Sequence, residues 1–118
     1  MNVAILGASD SPIRYSYKAM CLLEEHGHST VLIHPRLTEI EGRTVHASLS
    51  EVNSIDTLAM YVNPQISGKL VDEVKSLAPK RVIFNPGSEN PSIYPDLEKV
   101  GIKVVQGCVL VMLNTGTF

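Results

Sequence analysis

Apolar residues fall in short runs between polar, turn-forming stretches, and their spacing predicts the elements. Val3–Leu6 is an unbroken apolar run closed by Gly7, the pattern of a strand covered on both faces. A loop of Ala8-Ser9-Asp10-Ser11-Pro12 follows, with proline placed to open a helix. That helix is predicted from about Ile13 to His26, on a stripe of Tyr15, Ala19, Leu22 and His26, with Gly27 as its stop. Thr30–Ile33 is the second strand, ended by Pro35. A looser stretch runs from Arg36 to Ser54, with a small strand near Val45. Thr57–Val62 is the third strand. Ile66, Leu70, Val74 and Leu77 then mark one helix, closed by Pro79. Arg81–Phe84 is the fourth strand, Ile93, Leu97 and Val100 mark the next helix, and Lys103–Val105 is the fifth strand. The apolar run Val109–Leu113 reads as a sixth strand or an interface.

Strand and helix thus alternate from end to end, which implies a parallel sheet with helices on both faces. The expectation is an α/β fold in one domain, residues 1–118: a three-layer, Rossmann-type, doubly wound parallel sheet of order 3-2-1-4-5. The 118 residues suffice for a core without metal or disulfide staples.

Composition narrows the chemistry. Hydrophobic residues make up 44% and charged residues 19%, a globular balance. A net charge of -2 supplies no general attraction to nucleic acid or to an anionic membrane, so neither is expected as a partner. No window approaches the roughly 18 apolar residues of a membrane span. The opening residues lack the basic region of a signal peptide. The two cysteines, Cys21 and Cys108, belong to no C-x-x-C pair, which excludes zinc-ribbon and thioredoxin-type motifs. A reducing cytoplasm is the expected compartment.

In an open parallel sheet, ligands bind beyond the carboxyl ends of the strands where strand order reverses. That singles out the loops Gly7–Arg14, His34–Arg36, Asn63–Pro64 and Asn85–Asn90. The first is suited to phosphate. A helix N-terminus presents unpaired N–H groups, Gly7 permits close approach, Ser9 and Ser11 add hydroxyls, and Arg14 and Lys18 stand four apart on one helix face. The competing reading is that Ser11 caps the helix and the two cations are solvated. A dinucleotide fingerprint is incomplete, because only Gly7 of the G-x-G-x-x-G glycines is present. The second strand ends in Ile33-His34-Pro35-Arg36, with no carboxylate for a ribose diol; a basic group there suits a ribose that carries an extra phosphate, as in NADP and coenzyme A. No G-x-x-x-x-G-K-[ST] motif occurs.

These loops also carry a resemblance. Gly7-Ala8-Ser9-Asp10-Ser11-Pro12 with Arg14-Tyr15-Ser16-Tyr17-Lys18 resembles the opening of the small bacterial and archaeal CoA-binding proteins, stand-alone relatives of the CoA-binding domain of the succinyl-CoA synthetase α subunit. The similarity continues through His34-Pro35, where the family usually has Asn-Pro, through Tyr61-Val62-Asn63-Pro64, and through Phe84-Asn85-Pro86-Gly87-Ser88-Glu89-Asn90-Pro91. It ends on Cys108 and Asn114-Thr115-Gly116-Thr117-Phe118. The resemblance implies coenzyme A as the ligand, extended over the carboxyl edge of the sheet. Its phosphates would lie at Gly7, Ala8, Ser9, Arg14 and Lys18, and its adenosine at His34, Pro35 and Arg36. Its pantetheine arm would pass Asn63, Pro64, Asn85, Pro86 and Gly87.

The synthetase relatives act through a phosphohistidine in a separate domain, so that activity is not carried over. Neither a Ser-His-Asp order nor a metal-ligand cluster is recognisable. His34 is read as structural or adenine-contacting, Glu89 as a helix-start carboxylate, and Cys108 as an apolar filler. The expected function is binding of CoA or an acyl-CoA without intrinsic catalysis, as a carrier, a sensor or a partner of acyl-CoA enzymes; a homo-oligomer is left open. The alternative is a small NADP-dependent oxidoreductase or an NAD(P)-binding regulatory protein.

Overall fold

A computed structural model describes all 118 residues. The parallel strands are β1 (Asn2–Leu6), β2 (Ser29–Ile33), β4 (Arg43–His46), β5 (Thr57–Met60), β6 (Arg81–Phe84) and β7 (Lys103–Gln106). A two-residue strand, β3 (Glu39–Ile40), pairs antiparallel with β4 at the edge. The sheet has seven strands in the order β3-β4-β2-β1-β5-β6-β7. This is the doubly wound Rossmann-type arrangement that the alternation predicts. One assignment within that order is corrected: Thr57–Val62, counted as the third strand, ends at Met60 and lies beside β1 as the fourth, and the short strand at Val45 takes the third place beside β2.

Side-chain alternation divides the core. Val3 and Ile5 point to one face, with Ala59 and Ile83, and meet Ala19, Met20 and Leu23 of α1 (Tyr15–Glu25) and Val109 and Leu113 of α5 (Val109–Asn114). Ala4 and Leu6 point to the other, with Leu58, Met60, Val82 and Phe84. There they meet Val74 of α3 (Val71–Leu77) and Leu97 of α4 (Tyr94–Lys99). Both faces of the central strands are covered, as a parallel sheet requires.

Four local expectations are corrected. The buried stripe of α1 is Ser16, Ala19, Met20 and Leu23, and Tyr15 is exposed. Both stripes share Ala19, and helical spacing alone does not choose between them. The single helix expected from Ile66 to Leu77 is broken into α2 (Pro64–Ser67) and α3 around Gly68. The run Val109–Leu113 is a helix, α5, neither strand nor bare interface; its buried residues Val109 and Leu113 are one helical turn apart and pack against α1. Finally, the stretch after Arg36 contains a hairpin, β3–β4, turned by Glu41 and Gly42 at φ 49° and 80°, the signs of a type I′ turn. Arg43 pins this hairpin to α1, donating through Nε to Glu24 Oε2 at 2.8 Å. The Arg43 guanidinium holds the Glu24 carboxyl below the usual carboxylate range.

No helix is long and apolar enough to cross a membrane.

Candidate functional site

Strand order reverses at β1, with β2 on one side and β5 on the other. Their carboxyl ends lie level, since Leu6 is in register with both Ile33 and Met60. The chains leaving these ends part to form a cleft of about 1030 Å3. That is at the top of the ~300–1,000 Å3 range of small-molecule sites.

The floor of the cleft is the turn after β1. Gly7 takes φ 94°, and the Gly7 and Ala8 N–H groups both donate to Ile33 O at 3.1 Å. This turns the chain away from β1 close against β5. A Cβ on Gly7 would stand 3.2 Å from the carbonyl carbon of Tyr61. Beyond the turn, the N–H groups of Ser9, Asp10, Tyr15, Ser16 and Tyr17 find no acceptor within the chain, and the first four of these residues line the cleft. Free donors in the loop before an eleven-residue helix and in its first turn can receive an anion.

Side chains around this floor divide into those that face the cleft and those that shape it. Arg14 is the N-cap residue of α1, extended at φ -78° and ψ 143°, and lines the cleft without a carboxylate partner. Ser11 does not cap the helix: its N–H donates to Ser9 Oγ at 3.0 Å and its carbonyl accepts Arg14 N–H. The Ser9 hydroxyl hydrogen therefore remains free to donate. Because Arg14 precedes the helix, it does not share a helical face with Lys18. The Lys18 ammonium lies 5.6 Å from the centre of the Tyr15 ring, outside the cleft wall.

His34, Pro35 and Arg36 all line the β2 side. His34 Nδ1 accepts the N–H groups of Arg36 and Leu37, both at 3.1 Å. An asparagine, which the resemblance leads one to expect here, would place the same kind of acceptor, because Nδ1 sits one bond beyond Cγ, as an asparagine Oδ1 does. Removing the acceptor in His34→Ala should lower stability by about 1 kcal/mol. His34→Asn should restore most of it. Urea denaturation of the two variants checks this, and equal losses would contradict the acceptor role.

On the β5 and β6 side, Asn63, Pro86 and Gly87 line the cleft. Asn63 caps α2, its Oδ1 accepting Ile66 N–H at 3.0 Å. Pro64 opens that helix and does not reach the cleft. Asn85 is buried behind the wall. Its amide donates to Met60 O at 3.1 Å and its Oδ1 accepts Val109 N–H at 2.9 Å. It positions the Pro86-Gly87 turn rather than facing the cleft. Glu89 accepts Gly87 N–H at 2.8 Å, which fixes the same turn instead of capping a helix.

Several cleft residues were not among the expected ligand contacts, although Tyr61 opens the Tyr61-Val62-Asn63-Pro64 motif. Tyr61 just after β5, Leu49 in the 3-10 turn Leu49–Glu51 and Glu73 in α3 are brought together only by the fold. The Tyr61 hydroxyl is buried without a hydrogen-bond partner. Burial, with the Cys108 thiol beside it, pushes that phenol well above its ordinary range, so at neutral pH it is an unsatisfied O–H. The tail motif lies elsewhere: Phe118 packs at a tilt against His28 and lies against the Arg81 guanidinium, where β2 and β6 begin, at the opposite edge of the sheet. No group of three or more His, Cys, Asp or Glu is placed to hold a metal ion.

The chain matches the family described as "CoA binding domain" over residues 1–114. No protein of curated function matches it. Among solved structures it is similar to the crystal structure of an uncharacterized protein, at 40% identity and a TM-score of 0.94, over 99% of this chain and 97% of that one. It is also similar to a Thermus thermophilus protein, at 28% identity and a TM-score of 0.90, over 99% of this chain and 90% of that one. The fold, at 18% identity and a TM-score of 0.77, recurs in the dinucleotide forming acetyl-coenzyme A synthetase 1 of Ca. Korarchaeum cryptofilum, solved with phosphate and ADP; the likeness covers 90% of this chain and 25% of that one.

Proposed function

This chain belongs to the CoA binding domain family, and from that premise we propose that it binds coenzyme A or an acyl-CoA along the carboxyl edge of its sheet. The observation that carries the reading is a pair of arginines without carboxylate partners, Arg14 and Arg36, on two walls of one cleft whose floor offers free N–H groups. Coenzyme A carries anionic charge at two places, the diphosphate and the ribose 3′-phosphate. The diphosphate lies over Gly7, Ala8 and Ser9 against the start of α1, with Arg14 beside it. The 3′-phosphate meets Arg36, and the adenosine lies along His34 and Pro35. The pantetheine arm passes Asn63 toward Pro86 and Gly87. Pro64, Asn85 and Lys18 act from outside the cleft, the first two by holding its walls.

The positions of the second and third fingerprint glycines are occupied by Ser9 and Pro12, and the free donors lie at the helix start rather than along a glycine-rich turn. This favours CoA over an NAD-type dinucleotide. The chain's role is to hold the thioester or thiol carrier for another protein, as a carrier, a sensor or a partner of an acyl-CoA enzyme.

Arg36→Ala tests the placement. The unaltered protein should bind CoA about tenfold more tightly than dephospho-CoA, from charge-assisted hydrogen bonds to the 3′-phosphate. In the variant the two ligands should bind within about twofold of each other, and calorimetry reads the ratio. An undiminished preference for CoA in Arg36→Ala would remove Arg36 from the 3′-phosphate site. Arg14→Ala should weaken both ligands alike, by roughly tenfold.

A further inference from the structure

We propose that Tyr15 and Ile66 clamp the pantoyl group of the ligand, the branched, apolar part of the pantetheine arm that follows the diphosphate. The proposal rests on the CoA reading above and deepens it, by naming what separates CoA from a nicotinamide dinucleotide once the shared nucleotide half is bound. Tyr15 is 68% exposed and Ile66 is 45% exposed. Among the large apolar side chains that stand exposed, only these two line the cleft. Apolar surface left open to water inside a concave site gains by contact with an apolar part of a ligand.

Their places follow from the reversal of strand order. β1 and β5 are parallel neighbours, yet the chain leaving β1 enters α1 on one face of the sheet and the chain leaving β5 enters α2 and then α3 on the other. Tyr15 opens α1 and Ile66 lies in α2, so they stand on the two lips of the crevice between these strands. Tyr61 and Val62 line its bottom, where Gly7 passes close against them. Within α1, the Tyr17 hydroxyl donates to Glu41 in the turn of the β3–β4 hairpin. Tyr15 is two residues earlier, roughly 200° round the helix, and so leans toward the β5 side, away from the adenosine. The Lys18 ammonium lies against its ring. Ile66 is anchored through its N–H to Asn63 Oδ1, beside the path of the arm.

The chemistry of the ligand fits this position. In coenzyme A a single methylene joins the diphosphate to a carbon that bears two methyl groups. With the diphosphate on the free donors at Ser9, Asp10 and the start of α1, those methyl groups enter the crevice directly. In NADP and NAD a second ribose stands at the same remove from the diphosphate. It would press hydroxyls against the apolar lips and lose their hydrogen bonds to water.

The experiment is a calorimetric titration of the unaltered protein and of Tyr15→Ala, Ile66→Ala and Tyr15→Phe. The ligands are CoA and its nucleotide half, 3′-phospho-ADP, which keeps the phosphates and lacks the pantetheine arm. The unaltered protein should bind CoA at least about tenfold more tightly than 3′-phospho-ADP. Each alanine variant should weaken CoA by about fivefold and leave 3′-phospho-ADP within about twofold. Tyr15→Phe, which keeps the ring, should hold CoA within about twofold of the parent. Both side chains are exposed, so all three variants should melt within a few degrees of the parent. Equal affinity of the unaltered protein for the two ligands overturns the clamp and leaves the CoA reading standing. So do alanine variants that bind CoA as the parent does, and a Tyr15→Phe loss as large as that of Tyr15→Ala. A loss shared equally by 3′-phospho-ADP overturns the clamp too, because it places the two side chains on the nucleotide. Absence of CoA binding by the unaltered protein overturns the CoA reading and the clamp together.

Discussion

Gly7→Val should lose about 3 kcal/mol of stability and all measurable binding of the cleft's ligand. Two separate costs contribute. Gly7 stands at φ 94°, where a β-branched residue is strained by roughly 1–3 kcal/mol. Its Cβ would also press on the Tyr61 carbonyl carbon at 3.2 Å and on Val62 Cγ1 at 3.1 Å, and the first of these is backbone that cannot turn aside. Relief requires moving the loop off β5, which breaks the paired donation of Gly7 and Ala8 to Ile33 O and rotates the free donors of Ser9 and Asp10 away from the ligand. Gly87→Ala supplies the contrast. Gly87 has almost the same φ, 92°, but a Cβ there meets nothing within 4 Å, so only about 1 kcal/mol should be lost. Chemical denaturation of the two variants separates strain from collision. Equal losses would show that the approach to Tyr61 is unimportant.

Asn85→Ala should cost about 2–4 kcal/mol, a fall in Tm on the order of 10 °C for a chain of this size. Asn85 is 2% exposed and joins three elements. Its truncation leaves the Val109 N–H without an acceptor at the start of α5 and the Met60 carbonyl without its side-chain donor at the end of β5. Its backbone carbonyl, which the substitution keeps, accepts from Ser88 Oγ at 2.7 Å, so the test isolates what the side chain contributes to the Pro86-Gly87 turn. Thermal unfolding followed by circular dichroism measures the change. A loss below about 1 kcal/mol would mean that water replaces the side chain and that the Pro86-Gly87 turn holds itself.

Asn85 also shows where the sequence was legible and where it was not. The central strands were legible because each is a short apolar run closed by a turn former, and burial on both sheet faces requires such runs. The site loops were legible because topology places them at the carboxyl edge and Gly, Pro, Asn and Ser mark them. Within those loops, the residue type did not reveal the direction of the side chain. Asn63 caps a helix and Asn85 turns inward, although both read as polar loop residues. Lys18 was grouped with Arg14 by spacing, yet Arg14 precedes the helix and the geometry of a shared face does not apply. Glu39–Ile40 is too short to show a period, and Val109–Leu113 is apolar throughout, so neither strand nor helix spacing could be read from it. Glu73 had no local signal at all. It reaches the cleft wall only through the packing of α3 on the turn after β4.

The central claim is that this cleft recognises coenzyme A rather than a nicotinamide dinucleotide, and calorimetry of the unaltered protein against CoA, NADP and NAD tests it most directly. The prediction is micromolar or tighter binding of CoA, with NADP and NAD weaker by at least about a hundredfold, equivalent to ~2.8 kcal/mol. Failure to bind CoA below millimolar concentration, or NADP binding as tightly as CoA, would contradict it.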